Sequence, residues 1–160
     1  MQNQQKRSKI LFLCNHNSCR SQMAEGWTRK LKSDDYEVYS AGFESRGLDP
    51  RAVKVMLEAG VNISGQKSKL IDEVKAIPFD FVVTVCGPAH EQCPVFHGGA
   101  KVIHVGFDNP PSLARTARTE EEALIHYRRV RDEIRQFVET LPDALPGCRS
   151  SSDSHPNTRA

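Results

Sequence analysis

Short apolar runs alternate along the chain with stretches whose apolar residues recur every three or four positions. KILFL at 9–13, YEVYSA at 36–41, FDFVVTV at 79–85 and KVIHV at 101–105 are dense in β-branched, aromatic and aliphatic residues, and they predict four buried strands. After the first run, Met23, Trp27 and Leu31 sit four apart, as one face of a helix requires. After the second, Asp49 is placed to cap a helix with Pro50 at its first position, Val53, Met56 and Leu57 facing inward, and Gly60 ending it. After the fourth, Thr119 and Glu122 form a capping-box pattern, followed by one stripe of Ala123, Tyr127, Val130, Ile134, Phe137 and Leu141. Strands alternating with helices predict a single α/β domain: a four-stranded parallel sheet with helices on both faces and functional groups at the carboxyl ends of the strands.

The two ends break this pattern. Residues 1–8 are polar without periodicity, and 142–160 are rich in Pro, Ser and other polar residues, so an ordered domain over 9–141 is expected between two mobile tails. A chain of 160 residues suits one such core. Its 22 Lys and Arg nearly balance 20 Asp and Glu, for a net charge of +2, which argues against nucleic acid or an anionic membrane as the main partner. No apolar run reaches bilayer length and MQNQQKRSK lacks the features of a secretory signal, so a cytoplasmic protein is expected. In a reducing compartment, five cysteines point to catalysis, metal binding or simple burial rather than to a disulfide scaffold.

The first strand runs directly into CNHNSCRS, and the first helix begins just after it. A loop between a strand end and a helix amino terminus collects anions, because main-chain N–H groups and the positive end of the helix dipole converge there. Residues 15–19 (Asn15, His16, Asn17, Ser18 and Cys19) are enough to wrap around an oxyanion, with Arg20 returning to clamp two oxygens. The same field favours a thiolate at Cys14, with Ser21 donating a hydrogen bond to its sulfur. Cys-x5-Arg-Ser in this context is the signature of cysteine-dependent phosphatases; the plainer alternative is a chance match with Cys14 as a buried strand-end residue. Cys19 reads as packing and His16 as a residue at the rim.

A phosphatase needs one cysteine, yet Cys86 stands at the end of the third strand and Cys93 seven residues later. Strand ends of a parallel sheet share one side, so Cys86 can approach Cys14, and three thiols so arranged allow a relay in which each attacks the last. With CNHNSCRSQMAEGW, VYSAG at 38–42, VTVC at 83–86, GFDNP at 106–110 and YRRVRDEI at 127–134, the chain resembles the thioredoxin-coupled arsenate reductases, which share the low-molecular-weight tyrosine phosphatase fold. The resemblance implies that Cys14 attacks arsenate, that Cys86 displaces arsenite from the Cys14 adduct, and that Cys93 then forms a disulfide with Cys86 for thioredoxin to reduce. It implies phosphate and sulfate as competing oxyanions. Cys148 matches no member of the relay.

Two positions depart from the family pattern. Members that bind potassium beneath the loop supply residues matching Asn17, Glu25 and Ser40, but their fourth, acidic ligand falls on Lys69. Its ammonium could pair with Glu25 instead, so no potassium is expected; a solvated surface lysine is the alternative. Relatives also place an Asp directly before Pro as proton donor, where this chain has Asn109 and then Pro110. An amide cannot transfer a proton, so either the preceding carboxylate, Asp108, is the general acid or water supplies the proton, and phosphatase side activity should be weak. Competing readings are a tyrosine phosphatase whose extra cysteines protect Cys14, a glutaredoxin-coupled reductase, and a zinc-binding module built on Cys86, His90, Cys93 and His97, whose spacing matches no recognised zinc pattern. No resident metal or organic cofactor is expected.

Overall fold

The computed structural model of the protein describes residues 7–86 and 99–145. Four strands, β1 (Ser8–Cys14), β2 (Tyr36–Gly42), β3 (Phe81–Thr84) and β4 (Lys101–His104), form one sheet in the order β2-β1-β3-β4. All three pairings are parallel. Among the described residues, five helices connect or follow them: α1 (Arg20–Leu31), α2 (Pro50–Glu58), α3 (Ile71–Val74), α4 (Pro110–Ala114) and α5 (Glu120–Glu139).

The alternation of β1 explains the two-sided core. Ile10, Phe12 and Cys14 join a large cluster that includes Met23 and Trp27 of α1, Val55 and Met56 of α2, and Tyr127, Val130 and Ile134 of α5. Leu11 and Leu13 join a smaller one with Ala41, Val82, Val74 and Phe79. Helices therefore lie on both faces as the sequence predicts, but unequally. One face takes three substantial helices, the other a single turn at α3 and its flanking loops. The one-turn helices α3 and α4 gave no sequence signal because neither is long enough to repeat an apolar position at helical spacing.

The helix ends obey their local chemistry. Asp49 caps α2 by accepting from the Arg51 N–H at 2.9 Å, with Pro50 at the first helical position. At the other end Gly60, at φ 88°, lets its N–H reach the Leu57 carbonyl while Val61 N–H reaches Met56. Those two bonds close a Schellman turn. Thr119 caps α5 by accepting from Glu122 N–H at 3.1 Å.

Two expectations need correction. The inward stripe of α2 is Ala52, Val55 and Met56, while Leu57 is 58% exposed. Rotation by one position lets the small Ala52 approach the core where Val53 was expected. The packed chain also continues past 141, since Leu145 is buried in the main cluster, with Pro142 and Leu145 forming a turn through Leu145 N–H and the Pro142 carbonyl. At the amino end β1 begins at Ser8, tied to the Asp35 carbonyl at 3.0 Å. Among the described residues, no helix is long and apolar enough to cross a membrane.

Candidate active site

β1 is the strand from which the site is built, and it sits between β2 and β3. Residues 15–19 bend from its end into α1, with Asn17 in the left-handed region at φ 48°. Asparagine tolerates that conformation better than most residues. Every carbonyl in the bend from 15 to 18 is held from outside. Glu44 N–H donates to Asn15 O at 2.9 Å, Arg46 N–H to His16 O at 3.2 Å, Gln22 Nε2 to Asn17 O at 3.0 Å, and Asp49 N–H to Ser18 O at 2.9 Å. In a planar trans peptide the next N–H points opposite to the carbonyl. Pinning these four carbonyls outward therefore turns the N–H groups of His16, Asn17, Ser18 and Cys19 toward the inside of the bend, where an oxyanion would sit.

The segment 43–49 that supplies this collar follows β2, and Gly42 lets it pass close. A Cβ at Gly42 would lie 2.7 Å from the Asn17 nitrogen and 2.8 Å from the Glu44 oxygen. Both are main-chain atoms that cannot swing aside.

Cys14 closes β1, 3% exposed. Ser21 Oγ lies 3.5 Å from its sulfur and accepts from Asn17 Nδ2 at 2.8 Å, so the bend orients the hydroxyl toward the thiol. Arg20 is buried and its guanidinium donates to the carbonyls of Phe107 at 3.0 Å and Val85 at 3.4 Å. Those two carbonyls follow β3 and β4, so two neighbouring strand ends fix the guanidinium at the bend. Cys86 follows one residue after Val85, whose N–H bonds the Leu13 carbonyl of β1, and it is buried in the same cluster as Cys14. Cys19 is also buried; burial first, then the charges of Asp49 and Cys14, hold its thiol well above the usual range, so it stays protonated.

Below the bend, Ser40 donates to Glu25 Oε1 at 2.5 Å, Arg29 pairs with Oε2 at 2.7 Å, and Lys69 Nζ lies 3.9 Å from Oε1. Asn17 Oδ1 accepts from Lys69 N–H at 2.6 Å and from Gln22 Nε2 at 3.0 Å. The set Asn17, Glu25, Ser40 and Lys69 is thus brought together. It lies against a cavity of about 630 Å³ lined by Arg29, Lys30, Lys67 and Lys69 around Glu25. This set departs from a potassium site at its fourth member: Lys69 brings an ammonium, not an oxygen, to 3.9 Å from Glu25 Oε1.

Above the bend, a cleft of about 390 Å³ is lined by Cys14, His16, Ser18, Cys19 and Arg20 and by residues of the two neighbouring segments, among them Arg46, Asp49, Asn109, Ser112 and Arg115. His16 stands at the rim, 3.6 Å from Glu44. Asp108 is not brought to the cleft. It pairs with Arg129 of α5 at 3.0 Å, while Asn109 takes the place on the lining and donates to Ser112 Oγ at 3.1 Å. Cys93, His90, His97 and Cys148 lie outside the described residues. Among the described residues no cluster of three or more His, Cys, Asp or Glu could hold a metal.

Sequence reasoning passed over Arg46, Asp49 and Arg115 as cleft residues. Asp49 carried a clear signal, but that signal was for helix capping, which it also performs. The rule that sites gather at strand carboxyl ends applies to the segment after β2 as well, and would have drawn attention to it.

This chain is similar to the arsenate reductase of Bacillus subtilis (strain 168), with 50% identity over 135 residues, 82% of this chain and 95% of that protein. A solved structure of an arsenate reductase in the reduced state superposes with a TM-score of 0.68 at 32% identity, covering 86% of this chain and 98% of that one. The thioredoxin-dependent arsenate reductase Cg_ArsC1' of Corynebacterium glutamicum superposes with a TM-score of 0.53 at 25% identity, over 83% of this chain and 62% of that one. The profile of low molecular weight phosphotyrosine protein phosphatases matches residues 9–147, and with the same strand-to-helix bend around Cys14, the chain belongs to that family.

Proposed function

We propose that this protein reduces arsenate to arsenite through Cys14, Cys86 and Cys93, with thioredoxin as the electron donor. The observation that carries the reading is the pair of buried thiols at adjacent strand ends: Cys14 closes β1, and Cys86 follows β3, its direct neighbour. Hydrolysis of a phosphate ester uses only the first of these thiols, whereas reduction of the bound anion needs the second as well. The half-identity to a protein named arsenate reductase supports the same substrate.

The steps follow from the groups in place. Arsenate binds in the bend, its oxygens facing the N–H groups of 16–19 and the Arg20 guanidinium. The Cys14 sulfur attacks arsenic, an As–S bond forms, and one As–O bond breaks as that oxygen leaves as water; arsenic remains pentavalent. Ser21, held by Asn17, steadies the attacking sulfur. The Cys86 thiolate then attacks Cys14 sulfur. An S–S bond forms, the S–As bond breaks, and its electron pair reduces arsenic to the trivalent state, so arsenite departs. Cys93 next attacks Cys86, Cys14 leaves as thiolate, and the Cys86–Cys93 disulfide passes to thioredoxin. Cys19, kept neutral by burial, does not compete as a nucleophile.

Phosphate and sulfate occupy the same bend as competitors. In this reading potassium has no part in the site, where Arg29 at 2.7 Å and Lys69 at 3.9 Å bring positive charge to Glu25. Dependence on thioredoxin places the reaction in a reducing compartment, the cytoplasm.

The competing reading is a tyrosine phosphatase, favoured by the family profile itself. The two separate on arsenate-dependent NADPH oxidation through thioredoxin reductase and thioredoxin. Wild type turns over many times, whereas Cys93→Ser forms one arsenite per enzyme and stops. Wild-type turnover by the variant, or no arsenite from the wild type, sinks the relay.

A further inference from the structure

We propose that Asp49 is the proton-donating residue of this site, the role that neither Asn109 nor Asp108 fills. The inference rests on Cys14 being the nucleophile, as the proposed function has it, but not on the later thiol steps.

Of the residues lining the cleft over Cys14, Asp49 is the one carboxyl group among those described. Its segment is fixed to the bend, since Asp49 N–H bonds the Ser18 carbonyl at 2.9 Å. Its side chain is fixed as well: Oδ1 accepts from Arg51 N–H at 2.9 Å and Oδ2 from the Tyr127 hydroxyl at 2.7 Å. Burial first, then the bond to Asp49, hold the Tyr127 phenol far above the usual range, so it remains a donor and never takes the carboxyl's proton role. Each carboxyl oxygen keeps a further lone pair for a proton.

In this role Asp49 arrives with a proton and passes it to the departing oxygen. Other charged or titratable groups facing this space are Cys14, His16, Cys19 and Arg20 from the bend, Arg46 and Arg51 from its own segment, Arg115 beyond α4, and Tyr127 from α5. The step then balances. Thiolate, dihydrogen arsenate and the neutral carboxyl give the thiol-arsenate monoanion, water and the Asp49 carboxylate; the As–S bond forms as the As–O bond breaks, and no electron leaves arsenic. With an aryl phosphate the same proton goes to the phenolate oxygen.

Asp49→Asn separates this role from capping, because asparagine caps helices as well as aspartate and its amide oxygen still accepts from Arg51 N–H or Tyr127. What it lacks is a proton to give. The readout is kcat/KM for 2,4-dinitrophenyl, 4-nitrophenyl and phenyl phosphate, across pH. The variant should lose about 10²-fold on phenyl phosphate, whose leaving group needs protonation, and about twofold or less on the dinitrophenyl ester, which does not. The wild type's decline in rate toward high pH should vanish with it on phenyl phosphate. Equal losses on all three esters, no loss, or no measurable phenyl phosphate hydrolysis by the wild type would each overturn the assignment. Failure of arsenate reduction in the wild type leaves this series readable, so the two ideas fail separately.

Discussion

Lys69 shows how one side chain reshapes a site without touching the substrate. Its ammonium approaches Glu25 while its own N–H bonds Asn17, so it serves the bend from two directions. Glu25 is only 4% exposed, and a buried carboxylate left without partners costs several kcal/mol. Arg29 and Ser40 share the load here, so the lysine tunes the pocket more than it carries it. Lys69→Asp should remove the ammonium and add an oxygen ligand. The variant's melting temperature should then rise in potassium relative to the same concentration of sodium, while the wild type shows no such difference; a potassium response already in the wild type would refute the replacement. The positions Asn17, Glu25, Ser40 and Lys69 were legible only through the resemblance to the family, since no spacing of their own joins them. Asp49 was half legible: its capping role was visible, its place in the cleft was not, since no spacing in the chain tells which segment folds over which strand end.

At the scale of elements, the bend is held by the segment after β2, and that arrangement left no trace in the sequence. Its donors are main-chain N–H groups of Glu44, Arg46 and Asp49, which every residue except proline possesses. Gly42 is the exception that carries information. Gly42→Ala should cost about 3 kcal/mol in urea unfolding and abolish phosphate protection of Cys14 from alkylation, because the new methyl meets backbone on two sides. Gly26→Ala, inside α1, offers the control. There the methyl would meet the branch methyl of buried Ile63 at 2.5 Å and the flexible end of Met56 at 3.1 Å, away from the bend. It should also destabilise the fold, but with phosphate protection of Cys14 retained. Strands and long helices were readable because their apolar residues repeat. The exact face of α2 was not, since Ala52 counts little in an apolar pattern yet fits where larger residues cannot.

Over the whole molecule, pH acts through groups whose protonation differs between folded and unfolded chains. Cys19 and Tyr127 are both held above their usual ranges by burial first. Below about pH 9 both states keep these protons, and the full stability is present. As pH rises past 9 the unfolded chain releases the Cys19 proton while the folded chain keeps it, so stability falls; Tyr127 adds to the fall from about pH 10. Urea midpoints from pH 8 to 10.5 should therefore decline, and Cys19→Ala should delay the onset by removing the first of the two groups. An unchanged onset would contradict the assignment to Cys19. On the acid side, Glu58 and Glu120 are held below the usual range by hydrogen bonds from Arg128 and Arg51, so their surface contribution is present above about pH 4.5 and fades as pH falls through their folded values.

The collar of main-chain bonds has one further consequence, for how such a site can change over generations. Because Glu44 and Arg46 hold the bend through their main-chain N–H groups, their side chains can vary while the anion cradle keeps its shape, whereas the Asp49 side chain is tied to Arg51 N–H and Tyr127 as well. New substrate preferences can thus arise by single substitutions along this stretch, without passing through ancestors whose cradle has collapsed.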